Sequence, residues 1–143
     1  MGHISVCTLP AILAVAEATR ASGRRVLEAY ILSYEVEAKI GLGLYPDHIL
    51  LGWHPVPTLG TLGAAVGAGK ILGLDAARMR VALGIAGSEA SGLRKNIGTM
   101  TKPFHAGHAA RNGVMAARLA RARFTANPDV LEGVPGTGHD HFG

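Results

Sequence analysis

Residues 58–74, TLGTLGAAVGAGKILGL, decide the fold. Gly60, Gly63 and Gly67 recur at spacings of three and four, so on a helix they share one face and leave nearly bare backbone there. Each interior glycine costs roughly 1 kcal/mol of helix propensity relative to alanine. So many of them make sense only where a neighbouring helix packs closely enough to return the loss. A phosphate loop is the competing explanation of GAAVGAGK, and it fails on spacing. A Walker pattern needs glycine where Ala64 stands and serine or threonine where Ile71 stands. The dinucleotide fingerprint fails as well, since its third glycine falls on Leu72 and no strand precedes it. The stretch also contains Lys70 and is shorter than the ~20 apolar residues that cross a bilayer, so no membrane span is expected.

Upstream, two prolines at positions 55 and 57 within the Leu50 to Pro57 segment predict a loop rather than a helix. Before it, Val26, Leu27, Tyr30, Ile31, Tyr34, Ile40 and Leu44 recur at helical spacing, giving an apolar stripe on a long helix that stops short of Pro46. A first helix is predicted from Thr8 to Ser22, with Pro10 in its first turn and Gly23 as its C-cap.

Downstream, Leu74-Asp75 supplies a staple residue and an N-cap for a fourth helix ending near Ser91-Gly92, with Met79, Val81, Leu83, Ile85 and Ala86 on its buried side. A polar connection, LRKNIGTMTKP, leads into a fifth helix in which Val114, Met115, Leu119 and Ala122 face inward and Arg111, Arg118 and Arg121 face elsewhere. After Phe124 periodicity is lost, which reads as a tail or a severed connection. No alternating β-branched run and no internal repeat occurs, so the expected fold class is all-α, a five-helix bundle-like segment. The expected division is a helical domain over 1–133 and a Gly-rich tail over 134–143.

Composition supports a folded single domain. The chain has 143 residues, 48% hydrophobic, 17% charged and 5% aromatic, so its core is built from small and aliphatic side chains. A mean hydropathy of +0.26 excludes a disordered chain. The formal charge of +4 suits a small anion as well as a polynucleotide. The arginines of the last helix lack interleaved aromatics for base stacking, so no nucleic-acid partner is expected. Cys7 is the only thiol, which precludes an internal disulfide and favours a reducing compartment. With no signal-peptide pattern at the N-terminus, the expected location is cytoplasmic. His139-Asp140-His141 lacks the further ligands and rigid frame of a specific metal site, and no metal is assigned to it.

Three positions point to chemistry. His54 stands between Trp53 and Pro55 in a rigid segment, and Lys102 and His105 stand where the fifth helix begins, so a cation and an imidazole meet the positive end of a helix dipole. Such a junction attracts carboxylates or phosphates. On residue types alone, a core histidine and a surface lysine explain the same positions.

Several motifs in one order carry a resemblance. They are Gly52-Trp53-His54-Pro55 with Thr58 and Gly60; Leu72-Gly73-Leu74; Ala82-Leu83-Gly84-Ile85-Ala86-Gly87-Ser88; Ala90-Ser91-Gly92; Thr101-Lys102-Pro103-Phe104-His105; and Ala109-Ala110-Arg111-Asn112-Gly113. From about His3 to Gly133 the chain resembles the MmgE/PrpD family, which includes 2-methylcitrate dehydratase, cis-aconitate decarboxylase and an iminodisuccinate epimerase. The resemblance implies a cofactor-independent lyase of di- and tricarboxylates, with a helical domain, a smaller lid domain and a homodimeric assembly, of which this chain resembles the middle of the helical domain. It implies catalytic roles for His3, His54 and Lys102, with Lys102 and His105 binding substrate. At His3 the sequence departs from the family, because Ile4 replaces the usual proline.

Lys102 is expected to anchor a carboxylate and His54 or His3 to carry the proton, since imidazole titrates near neutrality. His105 is expected to orient Lys102 or cap the helix. The family's acidic motif upstream of the first pocket histidine and its lid residues have no counterpart here. The expectation is therefore a piece or reduced member of the family, binding a small polycarboxylate, self-associating, and weakly active or inactive alone. The alternative is a non-catalytic helical module for dimerisation or carboxylate binding.

Overall fold

The computed structural model describes residues 3–132, and among them the fold is all-α, as expected. The helices are α1 (Ser5–Thr19), α2 (Gly23–Gly43), α3 (Asp47–Leu50), α4 (Pro55–Leu72), α5 (Ala76–Glu89) and α6 (Thr101–Arg121), with a 3₁₀ turn at Arg94–Asn96. Among the described residues there is no strand, only an isolated antiparallel bridge between Trp53 and Leu93.

Helix α4 is the axis of the bundle. Nearly every residue from Val56 to Gly69 is buried, and α1, α2, α5 and α6 all pack against it. A helix buried on all sides has no use for a polar face, which is why this stretch alternates Ala, Gly and aliphatic residues.

The close approach expected of its glycines is present. A Cβ at Gly60 would lie 2.5 Å from the Cys7 Sγ, and one at Gly67 would lie 2.5 Å from Ile12 Cγ1. At Gly63 an added Cβ would collide with the Glu37 carboxylate and with Thr8. The pairings Cys7 with Gly60, Thr8 with Gly63 and Ile12 with Gly67 run in the same direction, so α1 is parallel to α4. Glu37 with Gly63 and Ser33 with Gly67 run in opposite directions, so α2 is antiparallel. Ala109 with Gly60 and Gly113 with Ala64 also run in the same direction, so α6 is parallel to α4. The N-termini of α1, α4 and α6 therefore emerge at one end of the bundle.

The connections correct several expectations. Six helices form among the described residues rather than five, because a short α3 follows the cis Tyr45–Pro46 peptide. Helix α1 starts at Ser5 and closes at Arg20, whose left-handed backbone (φ 53°) does the work expected of Gly23. There the Arg20 N–H donates to Glu17 O and the Ala21 N–H to Ala16 O, leaving Ser22 to cap α2. The prolines at 55 and 57 begin α4 instead of preventing it, since the first-turn N–H groups that they lack have no intrahelical acceptor. Helix α6 begins at Thr101, four residues ahead of His105.

The stripe expected on α2 is split: Val26, Tyr30 and Ile40 are partly buried and pack against the core, while Leu27, Ile31 and Tyr34 face outward. Its buried residues are Ala29, Ser33, Glu37 and Gly41, while Leu27 and Ile31 are 63% and 66% exposed. At the glycine face of α4 the closest α2 partners are Glu37 at Gly63 and the small Ser33 at Gly67, with Val26, Tyr30 and Ile40 packed on the core to either side.

Two junctions follow the sequence closely. Gly73 (φ 73°) closes α4 with Leu74 N–H donating to Gly69 O, and the Asp75 side chain accepts from Arg78 N–H at 2.8 Å to open α5. Beyond α6 the chain returns over α5. A Cβ at Gly84 would lie 2.5 Å from the Asn127 carbonyl, and Arg80 Nε–H donates to the Pro128 carbonyl. The stretch after Phe124, expected to be a tail, is thus packed as far as Val130, which lies against Gly87. The 134–143 segment, with His139-Asp140-His141, lies outside the described residues.

Candidate functional site

The end of the bundle where α1, α4 and α6 begin gathers the residues singled out in the sequence. Beneath it, Cys7, Val56 and Ala109, one from each helix, form a small apolar floor, and the Cys7 thiol donates to the Val56 carbonyl at 3.3 Å. His54 caps α4. Its N–H donates to the Gly92 carbonyl (3.0 Å) and its own carbonyl accepts from the Thr58 hydroxyl (3.0 Å), so its backbone is fixed from both sides. The flanking Arg94 N–H donates to Gly52 O (2.8 Å), which ties the α3–α4 connection to the segment that follows α5. Gly92 has φ 125°, and a Cβ there would collide with Pro57, so glycine is required at the point where His54 is held.

Both His54 and His105 are 6% exposed, with their Nδ1 atoms 3.0 Å apart. His105 therefore contacts His54 directly, a partner that sequence reasoning did not assign to it. Lys102, half-buried, is the second residue of α6, and His3, exposed, lies just before α1, its carbonyl accepting from Val6 N–H. Burial holds the His54 imidazole below its ordinary value of 6.5, and His105, Lys102 and His3 lower it further. Lys102, one turn ahead of His105 on α6, and His3, just before α1, both stand at the end of the bundle where His54 caps α4. His105 is also lowered, by burial and then by His108. Near pH 7 the buried pair is neutral beside a cationic lysine.

The helix ends offer few free backbone donors. Pro55, Pro57 and Pro103 have no N–H, Lys102 N–H donates to Thr99 O, and Thr101 N–H donates to the Thr99 hydroxyl. An anion at this end would be held by side chains, helped by three aligned helix dipoles. Lys70, by contrast, is exposed in the last turn of α4, far from this end, and the GAAVGAGK segment is helix interior.

Sequence reasoning missed three buried polar groups. His48 lies on α3, its Nε2 2.7 Å from the Thr58 hydroxyl and its ring stacked on Trp53. Asn112 donates from Nδ2 to the Glu89 carbonyl (3.3 Å) and to His108 Nε2 (3.0 Å). Glu37 is 4% exposed with Oε2 lacking a hydrogen-bond partner, and burial pushes its carboxyl up to about 8. Its signal was the four-residue repeat Ala29, Ser33, Glu37, Gly41 opposite the apolar stripe. Cys7 is inert, its thiol pushed up to about 12 by burial and then by Glu37. Among the described residues no three or more His, Cys, Asp or Glu side chains are grouped as a metal ion requires. Nor is any helix among them long and apolar enough to cross a membrane.

Comparison with known proteins gives a consistent match. Residues 1–143 match the MmgE/PrpD N-terminal domain. The chain is 37% identical over 135 residues to the cis-aconitate decarboxylase of Homo sapiens, covering 91% of this chain and 28% of that protein. It is 36% identical over 137 residues to the cis-aconitate decarboxylase of Aspergillus terreus, with the same coverage of 91% and 28%. The chain therefore spans less than a third of the length of these relatives.

Proposed function

The chain belongs to the MmgE/PrpD family, and on that premise we propose that the end of the bundle carrying His54, Lys102 and His3 binds small di- and tricarboxylates as part of a lyase site. The observation that carries this is the direct contact of two buried imidazoles, His54 and His105, at the end of the bundle where Lys102 opens α6 and His3 precedes α1. Lys102 anchors one carboxylate by charge, and His3, exposed at the start of α1, takes a second. His54 carries the proton.

The relatives named cis-aconitate decarboxylase make decarboxylation of an unsaturated tricarboxylate the favoured reaction, with a 2-methylcitrate dehydratase-like water loss as the other member of the class. In decarboxylation the bond to the departing carboxylate breaks and its electron pair passes into the conjugated acid that remains. The carbon that gains the charge then takes a proton. Cationic groups held near that developing charge lower the barrier, and an imidazole that takes up and returns a proton delivers it. Lys102 and His54 are of these two kinds.

These 143 residues bind more readily than they turn over substrate, since rate requires reacting groups held together in a site closed to water, and the relatives are more than three times as long. A second reading, a helical module that associates with another copy, is favoured by the exposed Leu27, Ile31 and Tyr34 on α2. Calorimetric titration of the purified chain with cis-aconitate, beside an assay of CO₂ release, tests the proposal. Weak binding that is lost in Lys102→Ala, with little or no CO₂ released, is expected. Binding unaffected by that substitution overturns the assignment of the site.

A further inference from the structure

We propose that His54 and His105 work as one acid–base unit, which keeps one proton between the two Nδ1 atoms and takes up a single further proton for both rings. The pairing stands on its own geometry, and the use made of its proton rests on the assignment of His54 as the proton carrier.

The contact has the form of a direct hydrogen bond between the rings. The Nδ1 atoms are 3.0 Å apart and the ring centroids 5.2 Å apart. That centroid separation is close to the largest that a 3.0 Å nitrogen contact allows, so both nitrogens lie near the line joining the rings. The N–H or lone-pair axis of each nitrogen points outward from its ring and is therefore directed at the other. Two nitrogens so placed hold one proton, because with none their lone pairs repel and with two their hydrogens collide. This is true whichever ring donates. The contact is also enclosed. Each residue is 6% exposed, the His54 backbone is fixed by the Gly92 carbonyl and the Thr58 hydroxyl, and a Cβ at Gly92 would collide with Pro57 and lie 3.5 Å from His105 Cε1.

The number of protons is then limited. The neutral pair has one proton between the rings and one on the outer Nε2 of either ring. A further proton fills the remaining Nε2, and the pair becomes a single cation with a charge-assisted hydrogen bond at its centre. The next proton has no place except between the rings, where it would break that bond and set two imidazolium ions side by side. No carboxylate offsets such a charge. The groups that act on the pair are His3 ahead of α1 and Lys102 and His108 on α6. The Cys7 thiol of α1 is turned to the Val56 carbonyl, His48 of α3 is turned to Thr58, and the 3₁₀ turn beyond Gly92 carries Arg94 and Lys95 and no acid. The pair therefore takes up one proton where two separate histidines would take up two.

In the proposed reaction this cation is the acid. His54 gives the proton on its Nε2 to the carbon that has lost its carboxylate. The central proton and the one on His105 Nε2 stay, so both rings end neutral and the bond between them survives. One proton from water restores the cation for each carbon protonated. His105 acts through His54 as a positioning residue: it holds the inner edge of His54, which leaves Nε2 as the edge that exchanges protons, and it spreads the buried charge over two rings. A lone buried imidazolium would bear the whole cost of leaving water.

The test is a pH titration of the 143-residue chain from about pH 8 to about pH 4.5, a range that brackets the free imidazole value, followed by the ring carbon–proton NMR signals with no carboxylate added. His54 and His105 are expected to shift together over one step, with a combined amplitude equal to that of one imidazole in water. In His105→Asn the side-chain carbonyl keeps a hydrogen bond to His54 but takes no proton, and His54 is expected to titrate alone with full amplitude. A merely structural role for His105 would leave the His54 curve the same in both proteins. Separate full-amplitude steps for the two rings in the folded wild-type chain, no shift at either ring before unfolding, or a His54 curve unchanged by His105→Asn overturns the proposal. If His105→Asn does not fold, the wild-type curves decide. Binding of cis-aconitate is measured separately by calorimetry. One shared step without binding contradicts the proposed function alone, and binding with two independent steps contradicts this inference alone.

Discussion

Gly113 of α6 lies so close to α4 that a Cβ at this position would stand 2.6 Å from the backbone nitrogen of Ala65. Backbone inside a buried helix has nowhere to move. Gly107, six residues earlier on the same helix, has open space where its Cβ would be. Gly113→Ala should therefore cost about 1–3 kcal/mol by overpacking, while Gly107→Ala should stabilise by up to about 1 kcal/mol through helix propensity. Chemical denaturation of the two variants checks this, and a common sign for both would refute the packing account.

Glu37 sets the alkaline behaviour. Its carboxyl titrates near 4.5 when unperturbed and at about 8 in the fold, so between these values the unfolded chain has released a proton that the folded chain retains. The unfolded state then binds fewer protons, and stability falls as pH rises, by about 1.4 kcal/mol per pH unit for one group. This contribution is fully present below pH 4.5 and gone above about 8. His54, His105 and His48, all lowered, act in the opposite sense: their contribution is present above 6.5 and is lost as pH falls through their folded values. Denaturation midpoints across pH should show a maximum between these limits. Glu37→Gln should flatten the alkaline side above 6.5 and steepen the acid side between 4.5 and 6.5, where the Glu37 contribution opposes that of the histidines.

Self-association should involve the outward face of α2. Leu27, Ile31 and Tyr34 are exposed at helical spacing, an apolar patch that water solvates poorly. Sedimentation at micromolar concentration is expected to show species above 14.8 kDa, and Leu27→Asp with Ile31→Asp is expected to shift the distribution to the monomer. A wild-type chain that sediments cleanly as a monomer contradicts this.

The helix inventory was legible because glycine spacing and caps are local signals. Gly60, Gly63 and Gly67 announced the close face of α4, and Asp75 announced the start of α5. The prolines at 55 and 57 misled, because the same ring that breaks a helix interior also starts one, and only the hydrogen bonds of Gly52 and His54 to the segment after α5 show which occurs. On α2 the apolar stripe was right in part: Val26, Tyr30 and Ile40 pack against the core, whereas Leu27, Ile31 and Tyr34 lie on the side turned away from it. At the site, the sequence motifs brought His54 and Lys102 forward. The contact between His54 and His105 was not legible, since it depends on where α6 crosses the start of α4, a relationship between residues 51 positions apart.

The most direct test of the carboxylate site is to titrate cis-aconitate into the chain while following the side-chain NMR signals of His54 and Lys102. The account predicts that both respond along one saturating curve and that Lys102→Ala abolishes the response at His54. Signals that stay fixed at saturating ligand, or a His54 response that persists without Lys102, would contradict it.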